Sequence, residues 1–162
     1  MPADRQDEQT VELCRKVIAA EYAKCWADNT KLYPGVEELL TEVHTRGIPM
    51  AVLSNKPHEA TQIVVKGYFP DHYFKVVRGS LPSVPIKPNP AGAIQIAEEL
   101  NILPERFIYL GDTDTDMRTA VAAGMFPAGA LWGFRTAEEL TAYGAKALLK
   151  EPRELLNLFD EC

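Results

Sequence analysis

The sequence predicts an α/β protein in which a mostly parallel sheet is wrapped by helices on both faces, three layers in all. Two observations carry that prediction. Short apolar runs alternate along the chain with stretches of helical spacing, the clearest being Ile48-Pro49-Met50-Ala51-Val52-Leu53 and Phe107-Ile108-Tyr109-Leu110. The second of these runs ends abruptly in Gly111-Asp112-Thr113-Asp114-Thr115-Asp116. An apolar strand ending in clustered carboxylates presents them at the carboxyl end of a sheet, where open α/β sheets bind ligands.

Taken in order, residues 9–28 place Leu13, Val17, Ala20 and Cys25 on one face of a helix with a charged back. A break follows over 29–35. Pro34 then opens a helix over 36–45, closed by Gly47, and residues 48–53 form a strand stopped by Ser54-Asn55-Lys56-Pro57. A helix over 58–66, a loop over 68–74 and a strand over 75–78 come next. Pro82, Pro85, Pro88 and Pro90 make 81–90 a loop, and Pro90 is well placed to start a helix that runs to Leu100. The strand 107–110 and a helix over 116–123, ended by Gly124, lead to a strand over 128–132. A helix over 136–143, an apolar segment at 147–149 and a helix over 152–159 complete the chain.

At 162 residues the chain is long enough for one domain with a core of its own. Its formal charge of −6 offers no electrostatic footprint for nucleic acid or an anionic membrane surface, so neither is expected as a partner. Cys14 and Cys25 lie on one expected helix, separated by about 16 Å of rise, too far to bridge. With no apolar run of membrane-spanning length and a polar N-terminus, a cytoplasmic protein is expected.

Asp112, at the strand end, and Asp116, near the following helix start, are candidate ligands for Mg²⁺. That ion takes oxygen donors, keeps several waters and needs only one or two carboxylates beside a substrate phosphate. The competing reading is that both are helix caps and turn residues. A calcium loop fails, because Met117 stands where its glycine is needed and Ala123 where its bidentate glutamate is needed. Ser54 and Asn55 follow an apolar strand directly and can donate to a phosphoryl oxygen, or can serve as ordinary turn residues. Lys87 stands between Pro85 and Pro88 in a stiffened loop, suited to fixing an ammonium on an anion, although most loop lysines are simply solvated. No nucleotide-triphosphate loop, dinucleotide fingerprint or nucleophile elbow occurs.

Together these segments resemble the haloacid dehalogenase-like phosphohydrolases. Val52-Leu53-Ser54-Asn55-Lys56-Pro57 is similar to the family's second motif, Ile86-Lys87-Pro88-Asn89-Pro90 to its third, and Gly111-Asp112-Thr113-Asp114-Thr115-Asp116 to its fourth. Tyr33-Pro34-Gly35-Val36, Gly124-Met125-Phe126-Pro127 and Trp132-Gly133-Phe134-Arg135 are similar to the phosphoglycolate phosphatase branch. The resemblance implies a Rossmann-like core and Mg²⁺-dependent hydrolysis of a small phosphorylated metabolite through a phospho-aspartate. It assigns Ser54 and Asn55 to the transferring phosphoryl group, and Lys87 to that group's charge as well as to catalysis. Asp112 becomes a metal ligand, with Asp116 as a second ligand or its neighbour.

One departure stands out. The family's aspartate nucleophile and general acid/base belong to an N-terminal D-x-D-G-T motif on the central strand, and this sequence contains none. The expectation is therefore a remnant of the helical cap over residues 1–28, a core over 29–162 lacking its first, central strand, and a chain inactive by itself. Bare sheet edges are expected to close up, to pair with another copy, or to be covered by a further segment of a longer product, and a non-catalytic phosphate-binding or protein-interaction module is the alternative function.

Overall fold

The structure, a computed structural model, describes residues 7–160. The chain divides between Lys31 and Leu32 into two compact units. The first holds helix α1 (Glu8–Cys25), whose N-terminus is capped by the Asp7 carboxylate accepting from the Thr10 N–H at 2.8 Å, with Glu8 in the first turn where its charge suits the dipole. Cys14 and Cys25 are both free thiols.

The second unit runs α2 (Val36–Thr45), β1 (Met50–Pro57), α3 (His58–Tyr68), β2 (Phe74–Ser80), α4 (Ala91–Leu100), β3 (Ile108–Gly111), α5 (Asp114–Ala123), β4 (Phe126–Ala130), α6 (Ala137–Ala142), β5 (Ala147–Leu149) and α7 (Leu155–Asp160). All strand pairings are parallel, as the alternation of elements requires. The helix ends follow local chemistry: Pro90 precedes α4, Gly124 ends α5 at φ 72°, and Thr136 caps α6 in a reciprocal capping box with Glu139.

Four strands differ in their bounds from expectation, β3 by one residue, and pairing explains the extensions of β1, β2 and β4. β1 runs on through Ser54-Asn55-Lys56-Pro57 because Pro57 stands opposite Ser80 of β2, after an irregularity beyond Leu53. β2 is longer at both ends, since Phe74 and Ser80 both find partners in β1. β4 starts at Phe126 rather than Ala128 and ends at Ala130, because Phe126 faces Ile108 of β3. Pro127 is tolerated there because β5 pairs with β4 only from Ala128 onward, so Pro127 needs no ladder N–H on that side.

β3 alternates strictly between two apolar layers. Ile108 and Leu110 pack with Leu39 and Val43 of α2 and Leu155 of α7, whereas Phe107 and Tyr109 pack with Ala93 and Ala97 of α4 and Ala120 of α5. The sheet thus lies between helices on both faces.

It is not one sheet, however. β1 pairs with β2, β3 with β4 and β4 with β5, but β1 and β3 form no ladder with each other. A cleft of about 710 Å³ separates them, walled by Met50–Leu53 on one side and Ile108–Gly111 on the other. The expected bare edges are present within the described residues and have not closed up. No helix there is long and apolar enough to cross a membrane.

Candidate phosphate and metal site

The polar groups singled out from the sequence meet at the carboxyl ends of β1 and β3. Lys87, on the proline-rich loop between β2 and α4, extends its ammonium across this rim. Nζ donates to the Leu53 carbonyl oxygen at 3.1 Å and to Oδ1 of Asp116 at 2.6 Å. The two charged side chains retain only 13% and 9% of their exposure, so the pair is largely desolvated and removal of either partner strands the other. Lys87 also lies 6.0 Å from the centre of the Tyr109 ring.

Asn55 holds the Lys87 loop from the opposite side. Its amide donates to the Lys87 carbonyl and its oxygen accepts from the Lys87 N–H, both at 2.9 Å. The peptide bond between Lys87 and Pro88 is cis, and Asn89 closes the next turn by accepting from the Ala91 N–H at 2.9 Å. The Asn55 side chain thereby positions Lys87. Ser54 is half-buried beside it, its Oγ accepting from the Lys56 N–H at 3.1 Å. That bond leaves the hydroxyl proton for another acceptor.

On the β3 side, Thr113 and Asp116 form a capping box at the start of α5. Oδ2 of Asp116 accepts from the Thr113 hydroxyl at 2.6 Å and from its N–H at 3.2 Å. Both Asp116 oxygens are therefore engaged. Gly111 permits this closeness, since a Cβ there would lie 2.2 Å from the Asp116 Cβ. Asp112 is tethered by one oxygen only, Oδ2 accepting from the Phe134 N–H at 3.1 Å. Gly133 lets that loop press against it, because an added Cβ would fall 2.2 Å from the Asp112 Cβ. Oδ1 of Asp112 has no hydrogen bond among the described residues.

Tyr109 lies beneath the rim with its hydroxyl buried and without a hydrogen-bond partner among the described residues. Burial first, and then the nearby Asp116 charge, push its ionisation far above the usual phenol range.

Among the described residues no three or more His, Cys, Asp or Glu side chains cluster with metal-ligand geometry. The rim supplies Asp112, with a carboxylate oxygen to spare, and Asp116, shared with Lys87. A hard oxygen donor of this kind suits Mg²⁺, which completes its shell from waters and a substrate phosphate. Asp114 is not part of the set; it faces Arg135 at 3.8 Å in a partly exposed pair worth little.

Of the five residues singled out from the sequence, Lys87, Asp112 and Asp116 line the cleft, whereas Ser54 and Asn55 line a small neighbouring pocket that shares Lys87 with it. Three contributors, Thr113 of the fourth motif and Gly133 and Phe134 of the segment 132–135, have no role assigned to them by the sequence. Thr113 was detectable from its Thr-x-x-Asp spacing with Asp116, a capping-box signature. Gly133 and Phe134 act through a missing Cβ and a backbone N–H, neither of which leaves a side-chain signal.

The same arrangement of elements recurs in known proteins. Residues 3–124 match the family model described as haloacid dehalogenase-like hydrolase. The chain belongs to the haloacid dehalogenase-like hydrolases. Among its relatives in that family is a phosphoglycolate phosphatase from Mannheimia succiniciproducens, 31% identical over 128 residues that cover 79% of this chain and 57% of the relative. Another is a phosphoglycolate phosphatase from Salmonella typhimurium, 27% identical over 154 residues that cover 95% of this chain and 58% of the relative. This haloacid dehalogenase-like chain therefore spans less than three fifths of the length of either. Its fold superposes with a TM-score of 0.81 on a haloacid dehalogenase-like family protein from Streptococcus pneumoniae, 24% identical, covering 97% of this chain and 73% of that one.

Proposed function

We propose that the rim binds the phosphoryl group of a small phosphorylated metabolite together with Mg²⁺, the binding half of a phosphoglycolate phosphatase-like phosphomonoester hydrolase. One observation carries the reading: a desolvated ammonium, Lys87, is pinned between the Leu53 carbonyl and Asp116, with Asp112 facing the same cleft. A cation held in place by a stiff loop is pre-organised for an anion and needs little rearrangement to receive one.

In this reading Ser54 donates its hydroxyl to a phosphoryl oxygen, Lys87 offsets the phosphoryl charge, and Asn55 fixes the lysine in position. Asp112, supported by Asp116, holds the Mg²⁺ when bound, and that ion supplies neutralisation of the phosphoryl oxygens. The relatives named above, both phosphoglycolate phosphatases, support a small phosphomonoester as the substrate class. Formation of an aspartyl-phosphate needs a nucleophilic carboxylate facing the phosphorus, and the D-x-D-G-T segment that resemblance assigns to that task is not in this sequence. The chain by itself is therefore expected to bind phosphate without turning over.

Titration calorimetry with inorganic phosphate, with and without Mg²⁺, tests the binding. Mg²⁺-dependent binding that Asp112→Asn and Lys87→Met each weaken at least tenfold is the expected result, and phosphate binding indifferent to both substitutions refutes the site. A phosphomonoester assay tests the second half, since Mg²⁺-dependent turnover abolished by Asp112→Ala refutes inactivity while upholding the site.

A further inference from the structure

We infer that His44 and His72 form a second cation site, one for a borderline-soft divalent ion of the Zn²⁺ kind, at the end of the sheet away from the phosphate rim. The chain has three histidines, and the fold brings two of them together. His44 stands in the last turn of α2 and His72 in the loop between α3 and β2, yet their ring centres are 4.8 Å apart with the planes inclined at 59°. Both residues are exposed, so an ion reaches them from solvent. β1 starts at Met50 and β2 at Phe74, and these two residues face each other in the ladder. His44 precedes the first and His72 the second, so the pair lies at the amino ends of the strands. Lys87 and Asp116 meet the Leu53 carbonyl toward the carboxyl end.

The spacing is that of two ligands on one ion. At the usual Zn–N length of about 2.0–2.1 Å, a ring centre stands about 3.2 Å from the metal, so two rings at anything from a right angle to a tetrahedral angle lie about 4.5–5.2 Å apart. The observed separation falls within that range. Tyr73 fixes one half of the site against the other. Its ring stacks on His44 at 5.2 Å with the planes 28° apart, and it meets His72 edge-on at 5.2 Å. Its hydroxyl shares a 2.8 Å hydrogen bond with that of Thr41, one turn before His44 on α2. The loop is therefore docked on the helix before any ion arrives, and little further ordering opposes binding.

The donor type selects the ion. A neutral imidazole nitrogen suits Zn²⁺, Ni²⁺ or Cu²⁺, whereas Mg²⁺ takes oxygen. Position helps as well, because the carboxyl end of α2 carries the negative end of the helix dipole. The guanidinium two residues on, that of Arg46, is offset by Glu42 and Asp160. Two protein ligands leave the other coordination positions to water, so this site is weaker than a three- or four-ligand centre. His58, the third histidine, is engaged elsewhere, with Gln62 at 3.1 Å and with the Gly79 N–H at 3.3 Å. A bound ion ties α2 to the loop that leads into β2. No residue of the phosphate rim takes part, and the inference stands or falls independently of phosphate binding.

The test titrates Zn²⁺ into the full chain, with excess Mg²⁺ present to compete at carboxylates, and follows the ring nitrogens of the histidines by ¹⁵N NMR. Expected is one saturable transition that moves the ring nitrogens of His44 and His72 together and leaves those of His58 in place. His44→Ala and His72→Ala should each weaken that transition by about tenfold or more, as loss of one of two protein ligands requires. The ring-nitrogen signal separates this site from the free thiols Cys14 and Cys25, which can take Zn²⁺ without moving either ring. Zn²⁺ should also raise the melting temperature, and the double substitution should abolish that rise. If a variant fails to fold, the NMR titration of the unaltered chain decides the question. Ring nitrogens that do not move, movement at only one of the two histidines, or affinity indifferent to both substitutions overturns the inference, because the rings then merely pack against each other.

Discussion

β3 and β4 are neighbours in one ladder, yet they experience different surroundings. β4 is Phe-Pro-Ala-Gly-Ala, a weakly apolar sequence, and is buried from Pro127 to Ala130. β3 is Ile-Tyr-Leu-Gly, much the more hydrophobic, and no residue in it is fully buried. The reason is flanking: β4 lies between β3 and β5, whereas β3 has β4 on one side and the cleft on the other. Burial in this fold is conferred by neighbours, and hydrophobicity only makes a segment eligible for it. β1 tells the same story, with its apolar residues left partly exposed along the cleft.

The comparison can be broken most forcefully at the pin that crosses the rim. Lys87→Met leaves the Asp116 carboxylate desolvated without its cation and should cost about 3–4 kcal/mol in urea denaturation. Lys87→Met combined with Asp116→Asn should cost less than the sum of the two single changes. Independent, additive losses would show that nothing ties the two halves together there.

The contrast in burial is sharpened by a matched pair of truncations. Leu140 of α6 packs over Gly129 of β4 with no exposure at all, so Leu140→Ala should lose about 3 kcal/mol. Leu110→Ala, in the cleft wall, removes a side chain that already faces open space on one side and should lose only about 1 kcal/mol. Equal losses in the two variants would mean the cleft is closed in solution.

Gly133→Ala tests whether the loop after β4 positions Asp112. Its Cβ would overlap the Asp112 Cβ, so about 1–2 kcal/mol of stability and most of the Mg²⁺-dependent phosphate binding should go together. The smallest change expected is a gain. Tyr109→Phe removes a buried hydroxyl without a partner and should stabilise the chain by about 1 kcal/mol at neutral pH. The folded-state ionisation of Tyr109 lies above its ordinary value of 10.0, so the unfolded chain releases this proton first. Burial of the phenol is independent of pH below that value and costs stability increasingly as pH rises past it, so Tyr109→Phe should flatten this alkaline loss of stability.

Much of the chain was legible because local rules act over a few residues. Gly124 ends α5, Pro90 starts α4 and Thr136 caps α6 as their residue types require. The strand ends were less legible. Pro57 and Phe126 belong to strands because Ser80 and Ile108 stand opposite them, and those partners lie more than a dozen residues away. The site was legible as a set of residue types, but not as a division of labour. The sequence points to Asn55 as a phosphate contact, and what only the structure adds is that its amide also bonds the Lys87 backbone twice.

By itself, then, the amino-acid sequence determined the order of helices and parallel strands, the helix ends, and which polar side chains stand at strand ends. Period and propensity are properties of short stretches of chain, so they survive without tertiary context. Only the tertiary structure decided that Lys87 turns inward to bridge Leu53 and Asp116, that Asp112 hangs from the Phe134 N–H, and that the two ladders stand apart around an open slot. Each of those depends on which distant segments share a surface, and desolvation and backbone pairing across that surface assign the partners.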